Sequence, residues 1–295
     1  VMENIEKVTQ HLREWRPGRV TLHYHHTRDG KNFVWDGDHI WRVFNFIPSA
    51  AFTESRDETL VRNAGYAFGE FQAVLSGFDP TVLHETIPDF HNTEKRYEAL
   101  EAAVEKDPCG RAGEVEKELQ WLMQVRAEAC RLCRMQQEGL LPLRVTHNDT
   151  KINNVLFHPK DNSAMIVIDL DTVMPGLSLY DFGDSIRFGA ATAAEDEKDL
   201  NKVWCDMELF RAYTKGYLEG CDGSLTDLEV EMMPTGAKLI TLECGVRFLT
   251  DYLDGDNYFR THYPEQNLDR CRTQFKLVRD MEEQFQAMHD VVAKY

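Results

Sequence analysis

The run His147-Asn148-Asp149-Thr150-Lys151-Ile152-Asn153-Asn154 sets a carboxylate and an amide five residues apart on one short segment, and Asp169 ends an apolar run, Met165 to Ile168, twenty residues after Asp149. Phosphoryl transfer needs such a set. One carboxylate takes the proton of an acceptor hydroxyl, while an amide oxygen and a second carboxylate hold the magnesium ions that bridge nucleotide phosphates. On this reading Asp149 is the base, Asn154 and Asp169 are metal ligands, and a hairpin of Val155-Leu156-Phe157 with Met165 to Ile168 delivers Asp169 to the site. Asp171, two residues on, falls on the same face of an extended segment and is a further metal candidate, with a local turn role as the alternative. Lys151 lies inside the loop, placed either to reach a transferring phosphate or to face solvent.

Other readings of these residues lead elsewhere. An H-x-D triplet also opens the two-histidine, one-carboxylate face of non-haem iron sites. That site needs a β-rich barrel for its distal histidine, whereas the residues downstream read as helices, so His147 is expected to be a packed, supporting side chain. Asp181-Phe182-Gly183 spells the metal-binding DFG of protein kinases, yet it lies thirty-two residues past Asp149, beyond Pro175-Gly176, with no apolar strand leading into it. Asp181 is therefore expected to accept backbone N–H groups of the catalytic loop, and Asp184 to cap a helix or face solvent.

The pattern H-x-D-x-x-x-x-N, then I-D-x-D, then P-G-x-x-x-x-D resembles that of the aminoglycoside phosphotransferase and choline kinase superfamily. The longer strings THNDTKINNVLF, VIDLDTVMPGLSLYDFGDSIRFGA and ECGVRFLTDYLDGDNYF resemble N-acetylhexosamine 1-kinases more closely, and with IPDFHNTEKR near the middle the resemblance runs across essentially the whole chain. It implies an α+β, protein-kinase-like two-lobe fold with a mostly helical C-lobe. It also implies ATP as co-substrate, Mg2+, and transfer to the anomeric C1 hydroxyl of an N-acetylhexosamine. For the acceptor it points to Gly245 through Tyr252 and Asp256 through Phe259, where Arg247, Asp251 and Tyr258 supply a planar donor, a carboxylate and an aromatic face. An Arg and an Asp four apart on a helix also form an ordinary intrahelical pair. Choline, homoserine and aminoglycoside kinases share the catalytic residues, but a cationic acceptor calls for carboxylates or an aromatic box where Arg247 stands. A non-catalytic pseudokinase scaffold is the remaining alternative, and the intact Asp149, Asn154 and Asp169 set speaks against it.

These residues need a scaffold, and the rest of the chain bounds it. At 295 residues the chain exceeds a typical domain of roughly 100 to 200 residues, so one large or two linked lobes are expected. A net charge of −17 leaves no basic stripe for nucleic acid or an anionic membrane surface. No apolar run approaches the roughly 20 residues of a membrane span, and no signal-peptide pattern opens the chain, which makes a cytoplasmic location the expectation. Seven scattered cysteines fit reduced thiols. Cys130 and Cys133 form a C-x-x-C inside a helical stretch with no second pair, so buried thiols are expected over a zinc or redox site. His23 and His25 share one face of a strand, where a hairpin surface is expected over a metal site.

Apolar spacing predicts a helix through Met2, Ile5, Val8, Leu12 and Trp15, then strands over Val20 to Thr27 and His39 to Ile47 around turns at Asp29-Gly30 and Asp36-Gly37. Helix, strand, strand, connector is the second half of a kinase N-lobe. No G-x-G precedes it and the first residue is Val1, so an incomplete N-lobe, with its Gly-rich strands and lysine lying upstream, is expected. Pro48 marks the hinge, which divides residues 1–47 (partial N-lobe) from 48–295 (C-lobe) and makes backbone groups of Asn45, Phe46 and Ile47 the candidate adenine contacts. Helices are predicted over Thr59–Leu75, Glu94–Glu105, Glu114–Glu138, Lys198–Leu218, Leu225–Tyr252 and Leu268–Ala293.

Overall fold

A computed structural model of the chain describes residues 1–15, 18 and 20–295. Helix α1 (Met2–Trp15) opens it, followed by strands β1 (Val34–Trp35) and β2 (Ile40–Trp41) and helices α2 (Glu58–Val74), α3 (Thr93–Lys106), α4 (Glu116–Ala129) and α5 (Arg131–Gln137). Strands β3 (Arg144–Thr146), β4 (Val155–Phe157), β5 (Ala164–Val167) and β6 (Met174–Gly176) carry the middle of the chain. Helices α6 (Ser178–Gly189), α7 (Met207–Cys221), α8 (Asp227–Glu231), α9 (Met233–Asp254), α10 (Gln266–Glu283) and α11 (Phe285–Val292) complete it. The strands pair as three antiparallel two-stranded ladders, β1 with β2, β3 with β6 and β4 with β5. Among the described residues no helix is long and apolar enough to cross a membrane.

The seam between α2 and α7 explains how the helical body holds the catalytic segment. Asp57 caps α2, its carboxylate accepting the Thr59 and Leu60 N–H groups at 2.8 and 3.2 Å. Gly65 and Gly69 on α2 face Gly216 and Gly220 on α7, each pair four residues apart. A Cβ on Gly216 would lie 2.0 Å from the Arg62 carbonyl oxygen, and one on Gly69 would lie 2.1 Å from that of Tyr217. The two backbones therefore touch, which only glycine permits. Around this seam Phe68, Phe71, Tyr213 and Tyr217 are buried, and burying a side chain of this size contributes roughly 1.5–3 kcal/mol. Gln72, on α2, donates to the Val145 carbonyl just before the catalytic loop (3.1 Å) and to Asp181 (2.9 Å).

At the other end, α1 buries Ile5 and Val8 and hooks onto the site through Asn4. The Asn4 amide donates to the carbonyls of His84 (2.7 Å) and Val173 (2.8 Å). The two long strands expected after α1 are shorter than the pattern suggests. Their pairing contracts to a bridge at Tyr24 and Phe44, with His25 N–H on the Val43 carbonyl and Asn45 N–H on that of His23, plus the β1–β2 hairpin around Gly37 at φ 107°. Trp35, Ile40 and Trp41 are exposed there. Among the described residues no third strand pairs with this ribbon, and a two-stranded ribbon without a packed face has little to extend it.

Several predicted helices are interrupted. Glu114–Glu138 divides at Cys130 into α4 and α5. Leu225–Tyr252 divides at Met232, because Pro234 lacks the N–H a continuing helix requires and sits in the first turn of α9. Lys198–Leu218 resolves into a short turn and α7, which restarts at its Asp206 cap, and Leu268–Ala293 divides at Gln284.

Candidate active site

Antiparallel pairing of Val155 with Val167 closes the β4–β5 hairpin, and the Ile168 N–H donates to the Asn154 carbonyl (2.8 Å), so Asn154 and Asp169 leave the same end of it. Asp149 meets them from the preceding loop. The Asn154 amide nitrogen donates to the Asp149 carbonyl oxygen (2.8 Å) and to its Oδ2 (3.1 Å). Lys151 Nζ stands 2.9 Å from Asp149 Oδ1 and lies over the Phe188 ring. Burial disfavours the Lys151 ammonium, but Asp149 outweighs it and raises the pKa.

The loop turns at Asn148, whose φ of 64° is a left-handed conformation that asparagine tolerates. Its amide donates to the Thr146 and Thr172 carbonyls at 3.3 and 2.9 Å, and Thr172 Oγ1 donates to the His147 carbonyl at 2.6 Å. His147 is buried edge-on against Phe68 and Phe71. Its Nε2 meets the Ile168 carbonyl (2.8 Å), and its Nδ1 meets the Asp149 N–H (3.3 Å). Both ring nitrogens are thus engaged with backbone, which leaves none for an iron centre.

Helix α6 grips this loop from behind. Asp181, in its first turn, accepts the His147 N–H (2.9 Å), the Asn148 N–H (2.8 Å) and the Gln72 amide (2.9 Å), where the positive end of the helix dipole favours a carboxylate. Asp184 accepts the Thr150 N–H (3.0 Å) and pairs with Arg187 (3.0 Å). Burial acts on both acids and the outcomes differ. It raises the pKa of Asp181, which has only His147 and hydrogen bonds to oppose it, whereas for Asp184 the nearby Arg187 and Lys151 prevail and hold the carboxyl below its ordinary value. Asp184 therefore does not face solvent as its sequence context suggests. Phe182 is core, and a Cβ on Gly183 would lie 2.6 Å from the Gly236 carbonyl on α9. Contrary to the sequence reading, a strand does precede this helix: β6, whose Pro175 pairs with Val145.

Asp169 has φ 58° and opens a turn over Leu170–Thr172, so Asp169 and Asp171 are turn residues and not alternate positions of an extended strand. Asp171 is held by Arg42 at 2.6 Å. Among the described residues no group of three or more His, Cys, Asp or Glu side chains could hold a metal ion. The His23 and His25 rings pack edge-on 5.2 Å apart, and Cys130 and Cys133 are buried free thiols, burial pushing Cys130 up to about 11.

In front of Asp149 opens a cleft of about 510 Å³, walled by Phe90, Phe188, Phe248, Tyr258 and Phe259. Arg247 projects from α9 between the rings of Phe90 (5.0 Å), Phe259 (5.5 Å) and Tyr258 (6.0 Å), with no hydrogen bond or ion pair among the described residues. The four carboxylates of the cleft are all committed: Asp149 to Lys151, Asp184 and Glu195 to Arg187, and Glu243 to His91 (2.8 Å). Burial opposes ionisation of Glu243, but His91, Thr93 and Arg247 together hold its pKa below the ordinary value. Asp251 does not line this cleft. Its oxygens accept the N–H groups of Asn257, Tyr258 and Phe259 and the Asn267 amide at 2.8–2.9 Å, so it shapes the loop that carries Tyr258 and makes no pair with Arg247.

Residues 7–218 match the phosphotransferase enzyme family (APH), a span that takes in the later part of α1, α2, the β4–β5 hairpin and α6. The chain belongs to the phosphotransferase enzyme family. The fold of this phosphotransferase is similar to that of a microcompartment-associated aminopropanol kinase (17% identity, TM-score 0.55, 98% of this chain and 82% of that one). It is similar also to an ethanolamine kinase of Plasmodium vivax (14%, 0.55, 93% and 72%) and to an aminoglycoside phosphotransferase of Alicyclobacillus acidocaldarius (14%, 0.55, 100% and 85%). At these identities the likeness is one of fold. The family match ends within α7, before Arg247, so it covers the loop of Asp149 and not the whole wall of the cleft.

Of the three residues expected to contact adenine in this phosphotransferase, Asn45 is already engaged: its N–H donates to the His23 carbonyl (3.1 Å) and its Oδ1 accepts the His23 N–H (2.6 Å). Ile47 is buried with its carbonyl accepting Ser49 Oγ (3.0 Å), while the Phe46 ring is 88% exposed. Among the described residues the backbone groups of Phe46 bond to no other backbone group, which makes Phe46 the freest of the three candidates. Gln72, Asn148, Thr172, His91 and Glu243 were not foreseen. Only Asn148 had a local signal, an asparagine in a sharp loop; the others act across long stretches of sequence.

Proposed function

We propose that this phosphotransferase moves the γ-phosphoryl group of ATP to the C1 hydroxyl of an N-acetylhexosamine, with residues 1–47 forming part of an N-lobe and 48–295 the C-lobe of a two-lobed kinase-like enzyme. The observation that carries the substrate reading is Arg247. An unpaired guanidinium set among aromatic rings, in a cleft whose carboxylates are all committed, repels a cationic amine and suits hydroxyl and carbonyl oxygens, while the rings suit the C–H face of a sugar.

In this reaction Asp149 accepts the proton of the attacking hydroxyl as its oxygen bonds to the γ-phosphorus and ADP leaves. Lys151, beside Asp149, offers positive charge to the phosphoryl oxygens. Asp181 and Asp184 keep the loop rigid, so little reorganisation is needed at the moment of transfer. The Asn154 amide nitrogen is taken by Asp149, which leaves its oxygen for a cation, and with Asp169 and Asp171 it forms a set of hard oxygen donors suited to Mg2+. Magnesium bound there would neutralise charge on the nucleotide phosphates.

Release of ADP, measured over N-acetylhexosamines, hexoses, choline, ethanolamine and aminoglycosides, tests the reading. N-acetylhexosamines should be preferred, and the product should show coupling between phosphorus and the anomeric proton. Preference for an amino alcohol, or phosphate on C6, would overturn the sugar 1-kinase reading and leave the phosphotransferase assignment standing.

A further inference from the structure

Arg42 is the one described cation from the N-terminal segment that forms an ion pair with the Asp169–Asp171 turn. It lies at the end of β2 and donates from Nη1 to Asp171 Oδ1 at 2.6 Å, across 129 residues of sequence. The same guanidinium lies 5.9 Å from the centre of the Tyr24 ring and within 3.8 Å of the Met2 sulfur. Asp169 also lies within electrostatic reach: it contributes to raising the pKa of both Arg42 and Tyr24. One guanidinium therefore serves two carboxylates that a cation would also seek. The pair is only partly buried, with Arg42 29% and Asp171 44% exposed, so it can open without stranding a charge in the core.

We infer that Arg42 is the resident counter-ion of the metal-holding carboxylates, keeping Asp171 engaged until a divalent cation takes its place. The inference rests on the reading of Asn154, Asp169 and Asp171 as the cation site. A guanidinium and a divalent ion compete for the same oxygens, so their binding is antagonistic. Arg42 comes from the segment that includes α1, and Asn4 of α1 is bonded to Val173 just past the turn, so release of Asp171 also loosens a tie between that segment and the catalytic turn.

Manganese(II) alone, titrated into the full chain and followed by loss of the free-ion EPR signal, measures this competition without turnover. Arg42→Gln should tighten manganese binding by about tenfold at low salt, once solvent screening of a part-exposed pair is allowed for, and less at high salt. Arg42→Lys, which keeps the charge and most of the packing, should stay near the wild type. In an Asp171→Asn background Arg42→Gln should tighten binding far less, because the pair is already broken and only the longer-range pull of Arg42 on Asp169 is left to lose. Unchanged or weaker manganese binding in Arg42→Gln, or the same tightening without Asp171, overturns the inference. Manganese binding that is lost in Asp169→Asn yet indifferent to Arg42 sinks this inference and spares the metal reading. Absence of manganese binding from every variant removes both.

Discussion

The loop of Asp149 and the Arg247 wall proposed to receive the acceptor face each other across one cleft, but they are built in opposite ways. The loop is a short run of sequence clamped from behind: the N–H groups of His147, Asn148 and Thr150 all end on two buried carboxylates of α6, and Asn154 ties back to Asp149. The wall is assembled from Phe90 before α3, Arg187 on α6, Arg247 on α9 and Tyr258 beyond it, and among the described residues its central cation has ring contacts and no hydrogen bond or ion pair. Buried hydrogen bonds are directional and costly to leave unmade, so the loop has one geometry. Cation–ring contacts are broad in angle and distance, so the wall can be altered without disturbing the loop. Chemistry common to a family suits the first construction, and substrate choice suits the second.

The sharpest way to probe the loop is Asp149→Asn, which preserves shape and removes the proposed base. Turnover should fall about 10²- to 10⁴-fold with nucleotide affinity nearly unchanged. Steady-state kinetics with nucleotide titrations would remove Asp149 from the mechanism if turnover stayed close to wild type. Asp181→Asn attacks the clamp instead. It turns an amide toward two buried N–H groups, and should lower stability by about 1–3 kcal/mol in urea unfolding, with activity lost through the loop. Asp169→Asn should leave stability nearly intact and weaken magnesium-dependent ATP binding. If Asp181→Asn abolished the metal dependence and Asp169→Asn did not, the assignment of the two aspartates would be reversed.

The wall should respond more mildly. Arg247→Ala is expected to cost about 1–3 kcal/mol in kcat/KM for the sugar, with the KM for ATP almost unmoved. An equal rise in both KM values would mean that wall and loop are not separable. The smallest effect concerns pH. Asp184 and Glu243 have folded pKa values below their ordinary ones, so their contribution to stability is complete above about pH 4 to 5 and is lost as pH falls through the depressed values. Asp181 has the opposite sign, since its raised value favours the folded state at low pH and ceases to do so as pH rises through it. Urea midpoints followed downward from neutral pH should therefore fall, and fall less steeply in Glu243→Gln. An unchanged slope would remove Glu243 from the acid response.

Much of the loop was legible because its partners are close in sequence. A separation of five residues between Asp149 and Asn154 constrains where both side chains point, and an apolar strand before Asp169 announces a hairpin. The shared extended face expected for Asp169 and Asp171 did not form, because a left-handed Asp169 turns the chain there and gives Asp171 the local turn position that was its alternative. Asp251 misled because an acid on a helix gives no sign of whether it meets substrate or backbone; here three consecutive N–H groups of the following loop claim it.

By itself the sequence determined the helical composition of the body, the catalytic hairpin and the hard-oxygen donors gathered around it, because these follow from short-range periodicity and from residue chemistry. Tertiary structure alone decided that Gly65, Gly69, Gly216 and Gly220 let two helix backbones touch, that Asp184 joins Asp181 in clamping the loop, and that Arg42 reaches Asp171. Those outcomes depend on which distant surfaces meet. Contact between them is set by the packing of the whole chain, and no local pattern encodes it.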